Sequence, residues 1–365
     1  MTADGAGGAV GLALLGATGS IGKSTLEVIR HHPARFRVVT LAAQGRDPRA
    51  LAGLARELGA KLVAVTDPAA AAALGPLLPA GVELAVGPEG LIAAATHPEV
   101  GKVIAAIVGA AGLPPVHAAL AAGKSVALAN KEALVVAGRL LTDLAAATGA
   151  TILPIDSEHS ALHQALRSGR PEEVRRLVLT ASGGPFLRRD LTTFGAIRRE
   201  EALRHPTWSM GAKISIDSAT MVNKGLELIE ASHLFGLPGE RIDVVVHPQS
   251  IVHSLVEWRD GSWIAQLSVN DMIFPIQYAL AWPERWENRF RRLKPEELGS
   301  LEFLAVEARR YPAVALARAA LAAGESGPAV FNAANEVAVA AFLAGRIPFP
   351  AIVETARRGL ERHSP

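Results

Sequence analysis

Two carboxylates one residue apart, Asp156 and Glu158, follow the apolar run Thr151 to Ile155. On an extended segment the side chains at i and i+2 share a face, so both carboxylates would point to one spot while Ser157 points elsewhere. A divalent cation would remove their mutual repulsion and use their hard oxygen donors, and this spacing therefore predicts a metal site. The alternative is a solvated strand end followed by a helix N-cap.

A second cluster of polar side chains lies between Ser218 and Glu230. It predicts an N-capped helix on which Asn223 and Glu227, four residues apart, share a face. The Ser218 hydroxyl near the helix start, the Asn223 amide and the Lys224 ammonium could hold a phosphate. Glu227 would then join Asp156 and Glu158 at the metal. The alternative is a surface helix on which Lys224 and Glu227 form an exposed ion pair.

Two further segments place reactive or bulky side chains in loops. Ser182 follows a strand-like run and precedes two glycines, which favours an anion-binding nest, although a plain turn has the same composition. The segment Arg204 to Gly211 places Trp208 and Met210 between a proline and a glycine, outside regular structure. Large apolar side chains in a loop indicate a lid over a site, or else a loop that packs on a core.

The elements that must position these residues follow two patterns. Up to about residue 150, near-continuous apolar runs alternate with amphipathic stretches, which predicts a Rossmann-like parallel sheet buried on both faces. The predicted strands are Val10–Leu15, Phe36–Ala43, Lys61–Val65, Val103–Val108 and Ser125–Ala129. The predicted helices are Gly22–His31, Pro48–Leu58, Pro114–Ala122 and Lys131–Ala147. After residue 156 the strand-like runs lie closer together, with a turn at Asp260-Gly261, which predicts a separate α+β domain.

The first strand-to-helix turn, Gly16 to Gly22, predicts a dinucleotide site, because glycines spaced three apart let backbone amides approach a pyrophosphate at a helix N-terminus. At the end of the second strand, Arg46 stands where an NAD site usually has an acidic residue, and its guanidinium could pair with a 2′-phosphate. This favours NADP, whereas the alternative is an ordinary surface arginine with Asp47 capping the next helix. The polar residues from Asn130 follow another strand end, where ligands bind in such sheets.

Composition limits the possible partners. A chain of 365 residues with 50% apolar content is folded and long enough for two or three domains. A formal charge of +2 without a basic run argues against nucleic acid. The mean hydropathy is +0.25, but the apolar stretches are broken before they reach membrane-spanning length, so no membrane partner is expected. Met1 to Ala9 lacks the features of a signal peptide and the chain has no cysteine, which together predict a cytoplasmic protein without thiol chemistry.

Seven motifs, in order along nearly the whole chain, resemble those of the 1-deoxy-D-xylulose 5-phosphate reductoisomerase family. They are Gly16–Gly22, Ala129–Leu134, Pro154–His159, Ala181–Phe186, His205–Gly211, Asn223–Glu227 and His247–Ser254. The resemblance implies an enzyme that uses NADPH and a divalent metal (Mg²⁺, Mn²⁺ or Co²⁺) to make 2-C-methyl-D-erythritol 4-phosphate in the non-mevalonate (MEP) isoprenoid pathway. It also implies a homodimer and binding of phosphonate inhibitors of the fosmidomycin type.

The family's reaction rearranges the skeleton of a ketose phosphate, by a retro-aldol/aldol route or an α-ketol shift, and then reduces the resulting aldehyde with hydride. The resemblance implies an NADPH-binding domain at 1–150, a catalytic and dimerisation domain at 151–295 with a flap at 204–211, and a C-terminal helical domain at 296–365. The last part is Ala-rich, with helix stops at Gly324 and Gly345.

The resemblance also implies the role of each site residue. It places the metal on Asp156, Glu158 and Glu227. It places the substrate phosphate on Ser182, Ser218, Asn223 and Lys224. It places the rest of the substrate beside Lys131, Ser157, Glu158, His205, Trp208, Met210 and Glu227, with Lys131, Glu158 and His205 as catalytic residues. Its NADPH-contacting positions are Thr18, Gly19, Ser20, Ile21, Gly45, Arg46, Asn130, Glu132 and Gly211.

Three features depart from the family pattern. The turn that contains Gly45 and Arg46 differs in detail, Asn270 and Ile273 replace a usual Pro and Arg, and the chain ends at Pro365 before an expected final helix. Two other classes of protein remain as alternatives. A semialdehyde dehydrogenase of similar layout would need a thiol nucleophile, which the chain lacks. A non-catalytic NADP sensor would not need three carboxylates and an anion nest.

Overall fold

The computed structural model describes residues 8–208 and 210–364. Most of the segment Met1–Ala9, for which no signal peptide is expected, and Ser209 of the predicted flap lie outside the described residues, as does Pro365. The chain divides into two units. The first unit comprises Met1–Ala133, Leu140–Asp156 and Met272–Asn288, and the second comprises Leu134–Arg139, Ser157–Asp271 and Arg289–Pro365.

The strands are numbered in chain order. They are β1 (Val10–Leu15), β2 (Phe36–Ala43), β3 (Leu62–Val65), β4 (Glu83–Val86), β5 (Lys102–Ala105), β6 (Ser125–Leu128), β7 (Ile152–Pro154), β8 (Val174–Ala181), β9 (Ile242–Val246), β10 (Val252–Trp258), β11 (Trp263–Leu267) and β12 (Leu304–Ala305).

The α-helices are numbered in the same way. They are α1 (Ser20–His31), α2 (Pro48–Leu58), α3 (Pro68–Leu74), α4 (Gly87–Thr96), α5 (Leu113–Ala121), α6 (Lys131–Thr148), α7 (Ser157–Ala165), α8 (Arg199–Ala202), α9 (Ala212–Ala219), α10 (Val222–Phe235), α11 (Ile273–Ala281), α12 (Ala313–Ala322), α13 (Gly327–Leu343) and α14 (Ala351–Glu361).

Within the described residues, the first unit contains a parallel sheet of seven strands in the order β4-β3-β2-β1-β5-β6-β7. The predicted Rossmann-like sheet is confirmed. The apolar residues of β1, β2, β3, β5 and β6 are almost all buried, because crossover helices cover such a sheet on both faces. The strand β4 was not predicted, since it lies at the sheet edge with half-exposed residues and no continuous apolar run. Strand order reverses between β1 and β5, which makes their carboxyl ends the switch point where ligands bind.

Helix α6 has residues in both units, because its beginning and its end belong to the first unit and its residues between them belong to the second. Its backbone departs from helical geometry at Ala137 (φ −139°, ψ 32°), and its residues Leu134–Arg139 belong to the second unit. Val135 packs there in a core with Val222, Leu226 and Phe331, which explains why this turn of the helix belongs to that unit. Lys131, at the start of α6, remains part of the first unit.

The second unit contains a mixed sheet in the order β11-β10-β8-β9-β12. Strands β8 and β9 are parallel, while the other pairs are antiparallel, and β10 and β11 form a hairpin at the predicted Asp260-Gly261 turn. The α+β prediction is confirmed, as are the helix stops of the C-terminal part, because Gly324 and Gly345 follow α12 and α13 with positive φ. Among the described residues, the structure contains no helix whose length and apolar character would allow it to cross a membrane.

Candidate active site

Asp156 and Glu158 lie at a strand-to-helix turn. Strand β7 ends at Pro154, Asp156 is in the turn, and Glu158 is the second residue of α7. The expectation that both carboxylates extend from one face of an extended segment is therefore wrong, because the helix begins at Ser157. The Ser157 hydroxyl donates a hydrogen bond to Glu158 Oε2 at 2.5 Å.

Glu227 is presented by α10, which begins at Val222 after Met221 in a left-handed conformation (φ 63°). The expected N-capped helix starting at Ser218 is wrong, since Ser218 is near the end of α9 and α10 has no side-chain N-cap. The predicted shared face is confirmed, because Asn223 Nδ2 donates to Glu227 Oε1 at 2.5 Å.

The three carboxylates of Asp156, Glu158 and Glu227 form one cluster, in which each offers an oxygen and these atoms all lie within 4.8 Å of one another. Lys131 Nζ lies 2.9 Å from Asp156 Oδ2. Lys224 Nζ donates to Glu158 Oε1 at 2.6 Å and also to Glu227 Oε2. Two lysine ammonium groups thus contact the carboxylates of this cluster. Three convergent hard oxygen donors fit a divalent cation.

The ion pair between Lys224 and Glu227 is not a surface feature. Their side chains are 4% and 1% exposed, so the alternative of an exposed pair on a solvated helix is wrong. Burial strengthens the attraction but also makes each charge depend on its partner. The cluster is therefore sensitive to any change in its balance of charge.

His159 connects the two helices that carry Glu158 and Glu227, and its role was not found from the sequence. Its side chain is fully buried, and its Nε2 lies 2.9 Å from the backbone oxygen of Glu227. Its Nδ1 lies 3.5 Å from a carboxylate oxygen of Glu230, and its ring stacks on Phe235. The sequence shows that His159 follows Glu158, a predicted metal ligand, but it does not show the partners of His159 on α10.

Ser182 lies at the end of β8 and contacts His205. His205 Nδ1 accepts hydrogen bonds from the backbone amides of Thr207 and Trp208, at 3.1 and 3.0 Å. Burial lowers the pKa of His205 to about 4, so the ring is neutral and its proton is on Nε2. Nε2, which lies 3.1 Å from Ser182 Oγ, therefore donates to it, as does the amide of Gly184. The hydroxyl proton of Ser182 is then available for an anionic ligand.

The glycines after Ser182 bring its loop close to the end of α9. A side-chain carbon at Gly184 would lie 3.1 Å from the backbone oxygen of Ser218, so the two predicted phosphate-binding serines belong to neighbouring segments. The buried Tyr311 donates to the backbone oxygen of Gly183 at 2.6 Å and holds this loop, which the sequence did not reveal. Burial raises the pKa of Tyr311 to about 12, so the phenol keeps its proton.

The predicted flap has no regular secondary structure in its described residues, Arg204–Trp208 and Met210–Gly211. Trp208 and Met210 are partly buried, and Gly211 is the N-cap of α9. The Trp208 backbone amide donates a hydrogen bond to His205, and His205 contacts Ser182, so these hydrogen bonds connect the first half of the segment to Ser182.

The predicted cofactor residues, apart from Gly211, lie in the first unit. Thr18, Gly19, Ser20 and Ile21 form the turn between β1 and α1 and the first turn of α1, whose amides have no side-chain cap. Arg46 is exposed after β2, beside Gly45 (φ 79°), and Asp47 caps α2 through the amide of Ala50. Asn130 and Glu132 are buried at the end of β6 and the start of α6, with 3% and 6% exposure.

A parallel sheet with a glycine-rich first turn, in one chain with a partly buried carboxylate cluster, is the arrangement of a metal-assisted, dinucleotide-dependent oxidoreductase. The chain belongs to the 1-deoxy-D-xylulose 5-phosphate reductoisomerase family. Residues 12–138 match the family itself, residues 152–235 match the 1-deoxy-D-xylulose 5-phosphate reductoisomerase C-terminal domain, and residues 267–365 match the DXP reductoisomerase C-terminal domain. The recognition based on the seven motifs is confirmed.

Two relatives named 1-deoxy-D-xylulose 5-phosphate reductoisomerase align with this chain over nearly their full length. The protein from Symbiobacterium thermophilum is 54% identical over 361 residues, which cover 97% of this chain and 92% of the relative. The protein from Geobacter metallireducens is 52% identical over 355 residues, which also cover 97% and 92%.

Two solved structures have the same fold as this chain. A DOX-P reductoisomerase in complex with NADPH, fosmidomycin and magnesium has a TM-score of 0.92 at 45% identity and covers 97% of this chain and 89% of its own. The enzyme from Zymomonas mobilis in complex with NADPH has a TM-score of 0.91 at 44% identity and covers 98% and 93%.

Proposed function

We propose that the chain converts 1-deoxy-D-xylulose 5-phosphate to 2-C-methyl-D-erythritol 4-phosphate with NADPH and a divalent metal, as a step of non-mevalonate (MEP) isoprenoid biosynthesis. The observation that carries this proposal is the carboxylate cluster of Asp156, Glu158 and Glu227 in a chain of this family. Related structures that hold NADPH, fosmidomycin and magnesium support the same cofactors and inhibitor class.

The substrate phosphate is held by Ser182, Ser218, Asn223 and Lys224. The Ser182 hydroxyl can donate to it because its oxygen already accepts from His205 and Gly184. The phosphate does not react, so its binding energy orients the carbon skeleton. Neutral His205 donates its single ring N–H, on Nε2, to Ser182, so it acts beside the substrate as a hydrogen-bonding group rather than as a cation.

Asp156, Glu158 and Glu227 hold the metal, which acts as a Lewis acid on the adjacent oxygens of the substrate. Lys131, whose ammonium lies beside Asp156, supplies a second positive charge or a proton to an oxygen that becomes negative during rearrangement. Ser157 and Glu158 lie along the sugar backbone. Lys131, Glu158 and His205 are therefore the proposed catalytic residues.

NADPH supplies the hydride that reduces the aldehyde. The first turn of α1 offers backbone amides to the pyrophosphate, and the exposed Arg46 pairs with the 2′-phosphate. Glu132 and Gly211 complete the proposed contacts, and Asn130 belongs to the proposed cofactor site as a residue that shapes it. In this proposal residues 1–150 form the NADPH-binding domain, residues 151–295 the catalytic and dimerisation domain, and residues 296–365 the helical domain.

Residues 204–211 form a flap that closes over the substrate. Trp208 and Met210 supply apolar surface, and closure excludes water from the reacting atoms. A protease should cut this segment in the free protein, and metal plus a phosphonate should protect it far better than metal alone. Equal hydrogen exchange across the segment with and without ligand would contradict a moving flap.

The test of the activity is oxidation of NADPH, followed by its absorbance, with 1-deoxy-D-xylulose 5-phosphate and with Mg²⁺, Mn²⁺ or Co²⁺. We expect turnover only when metal and substrate are both present, and inhibition by fosmidomycin. Oxidation that persists after chelation of the metal would contradict the role of the carboxylate cluster.

The enzyme forms a homodimer through its second sheet in this proposal. Strand β11 is an edge strand, and its side chains Trp263, Ile264 and Leu267 are 44%, 38% and 37% exposed. An exposed apolar edge strand pairs readily with another chain. Light scattering after size-exclusion chromatography should give twice the mass of 38.1 kDa. The cytoplasmic location expected from the sequence stays a prediction.

A further inference from the structure

The Asn130 side chain uses both of its donor hydrogens and its oxygen in hydrogen bonds inside the protein. Its Oδ1 accepts from the amide of Ala133 at 2.7 Å, which caps α6. Its Nδ2 donates to the backbone oxygens of Ile107 and Gly109, the latter at 2.9 Å. One amide group has two donor hydrogens, and both are used. Asn130 is also only 3% exposed, so this side chain shapes the protein rather than offering a group to a ligand.

The segment that Asn130 holds is the turn after β5, from Ala106 to Gly112. A side-chain carbon at Gly112 would lie 2.7 Å from Asn130 Nδ2, so the close approach of the amide requires glycine there. Between the two carbonyl groups that accept from Asn130 lies Val108, whose side chain is 73% exposed, the largest value among the described large apolar residues. Hydrogen bonds from Asn130 thus hold the turn in place, and the turn exposes the apolar side chain of Val108 to solvent.

The location of Val108 gives this exposure its meaning, since single exposed apolar side chains are common on protein surfaces. The amide of Ala106 donates to the backbone oxygen of Leu15 at 2.8 Å, and a side-chain carbon at Gly16 would lie 2.5 Å from the Ala106 oxygen. The Val108 turn therefore packs against the glycine-rich turn that begins at Gly16. Both are at the carboxyl ends of β1 and β5, where the strand order reverses.

At such a switch point a dinucleotide lies across the crevice, with one mononucleotide on each half of the sheet. Arg46, after β2, marks the half that takes the adenosine with its 2′-phosphate. The half beyond β1, beginning with β5, then takes the nicotinamide mononucleotide. The Val108 turn is the first segment on that side, next to the pyrophosphate turn.

We propose that Val108 is an apolar contact for the nicotinamide half of NADPH and that Asn130 is a positioning residue, which holds the Ala106–Gly112 turn in the shape that presents Val108. This inference rests on the proposed function, because it takes NADPH as the cofactor. Val108 was not among the cofactor residues expected from the sequence, and Asn130 acts on the cofactor through the turn.

The experiment measures binding to the full-length protein without turnover. The dissociation constants of NADPH and of adenosine 2′,5′-bisphosphate, which lacks the nicotinamide half, are determined by fluorescence and calorimetry. Val108→Ser should weaken NADPH about fivefold, because an apolar contact is lost, and leave the bisphosphate unchanged. The matched control is Val337→Ser, since Val337 is 67% exposed on α13 in the second unit and should change neither constant.

Asn130→Asp tests the positioning role. It keeps the oxygen that caps α6 but replaces the two donors with an acceptor facing two carbonyl groups. We expect faster hydrogen exchange across residues 106–112, unchanged exchange in α6, and a loss of NADPH affinity that does not add to that of Val108→Ser in the double variant. If Asn130→Asp weakens folding, Asn130→Ser keeps a capping hydroxyl and should show the same exchange pattern.

The outcomes separate this inference from the proposed function. If the unaltered protein binds adenosine 2′,5′-bisphosphate and NADPH, but Val108→Ser and Val337→Ser both bind like it, the Val108 contact is refuted while the proposed function stands. The Val108 contact would also be refuted if Val108→Ser weakened the binding of NADPH and of the bisphosphate equally. The positioning role of Asn130 would be refuted if hydrogen exchange across residues 106–112 were unchanged in Asn130→Asp. Failure of the unaltered protein to bind NADPH would instead refute the proposed function.

Discussion

Replacing Lys224 with methionine should destabilise the metal-free protein and, at the same time, strengthen its affinity for a divalent metal. The Lys224 ammonium contacts the carboxylates of Glu158 and Glu227, and its side chain is 4% exposed. Methionine fills a similar volume without the charge. The variant therefore leaves two converging carboxylates with less positive charge, and a metal ion no longer competes with an ammonium group for their oxygens.

The size of the effect follows from burial. Removing one partner of a buried ion pair costs about 3 to 5 kcal/mol. Glu158 is 18% exposed and keeps part of its hydration, so we take the lower end, about 3 kcal/mol. A loss of this size lowers the melting temperature of a unit of 150 to 250 residues by about 6 to 12 °C. Saturating Mn²⁺ should then recover most of the loss, because the ion replaces the missing charge.

The assay is thermal unfolding with and without Mn²⁺, together with a direct measurement of Mn²⁺ affinity. The matched control is Lys61→Met, because Lys61 also contacts a carboxylate, that of Glu99, but on an exposed surface. Its melting temperature should change little at any metal concentration. An unchanged melting temperature of metal-free Lys224→Met, or Mn²⁺ affinity no tighter than in the unaltered protein, would refute the reasoning.

Three further changes test separate parts of the site. Glu227→Gln should lose most turnover at limiting metal and keep its NADPH affinity, because the proposed dinucleotide residues, apart from Gly211, are in the other unit. Unaltered turnover would remove Glu227 from the proposed metal site. Arg46→Glu should weaken NADPH but not NADH, by about 1.5 to 3 kcal/mol for a lost charged hydrogen bond, and an equal loss for both would indicate a fold effect. Burial lowers the pKa of His205 from 6.5 to about 4, so the unfolded chain takes up this proton first and stability should fall as pH decreases from 6.5 towards 4. His205→Gln should show a smaller fall in melting temperature over that range, and parallel curves would contradict the assignment.

Local patterns in the sequence predicted the elements whose structure depends on near neighbours. The β1 strand and the helix after the glycine-rich turn were found because apolar periodicity and glycine spacing act within a few residues. The shared face of Asn223 and Glu227 was predicted correctly, because helical geometry fixes the relation of residues four apart.

The errors occurred where structure depends on a change of element or on distant partners. Asp156 and Glu158 were treated as one extended segment, but α7 begins between them at Ser157. The start of α10 was misplaced because Met221 has a left-handed backbone conformation, which a non-glycine residue rarely adopts. The buried state of Lys224 could not be predicted either, since its partner Glu158 lies 66 residues away.

The supporting residues of the site have no local signature at all. His159 contacts the backbone of Glu227, and Tyr311 contacts the backbone of Gly183, across separations of 68 and 128 residues. Every residue has a backbone oxygen, so the type of the accepting residue does not indicate such a contact. Only the folded chain therefore shows which side chains hold the catalytic segments in place.

The assignment of α11 to the first unit has a consequence for how the chain is made. Lys102, at the start of β5, donates to the backbone oxygens of Ala279 and Leu280 at 3.0 and 2.9 Å, and α11 packs against α1. The ribosome releases all seven strands of this sheet long before it releases α11. The nascent sheet must therefore wait, with the α11-facing side of α1 uncovered, while most of the second unit is synthesised. A fragment that stops at Asp156 would retain that uncovered surface permanently, and we expect it to aggregate or to recruit chaperones.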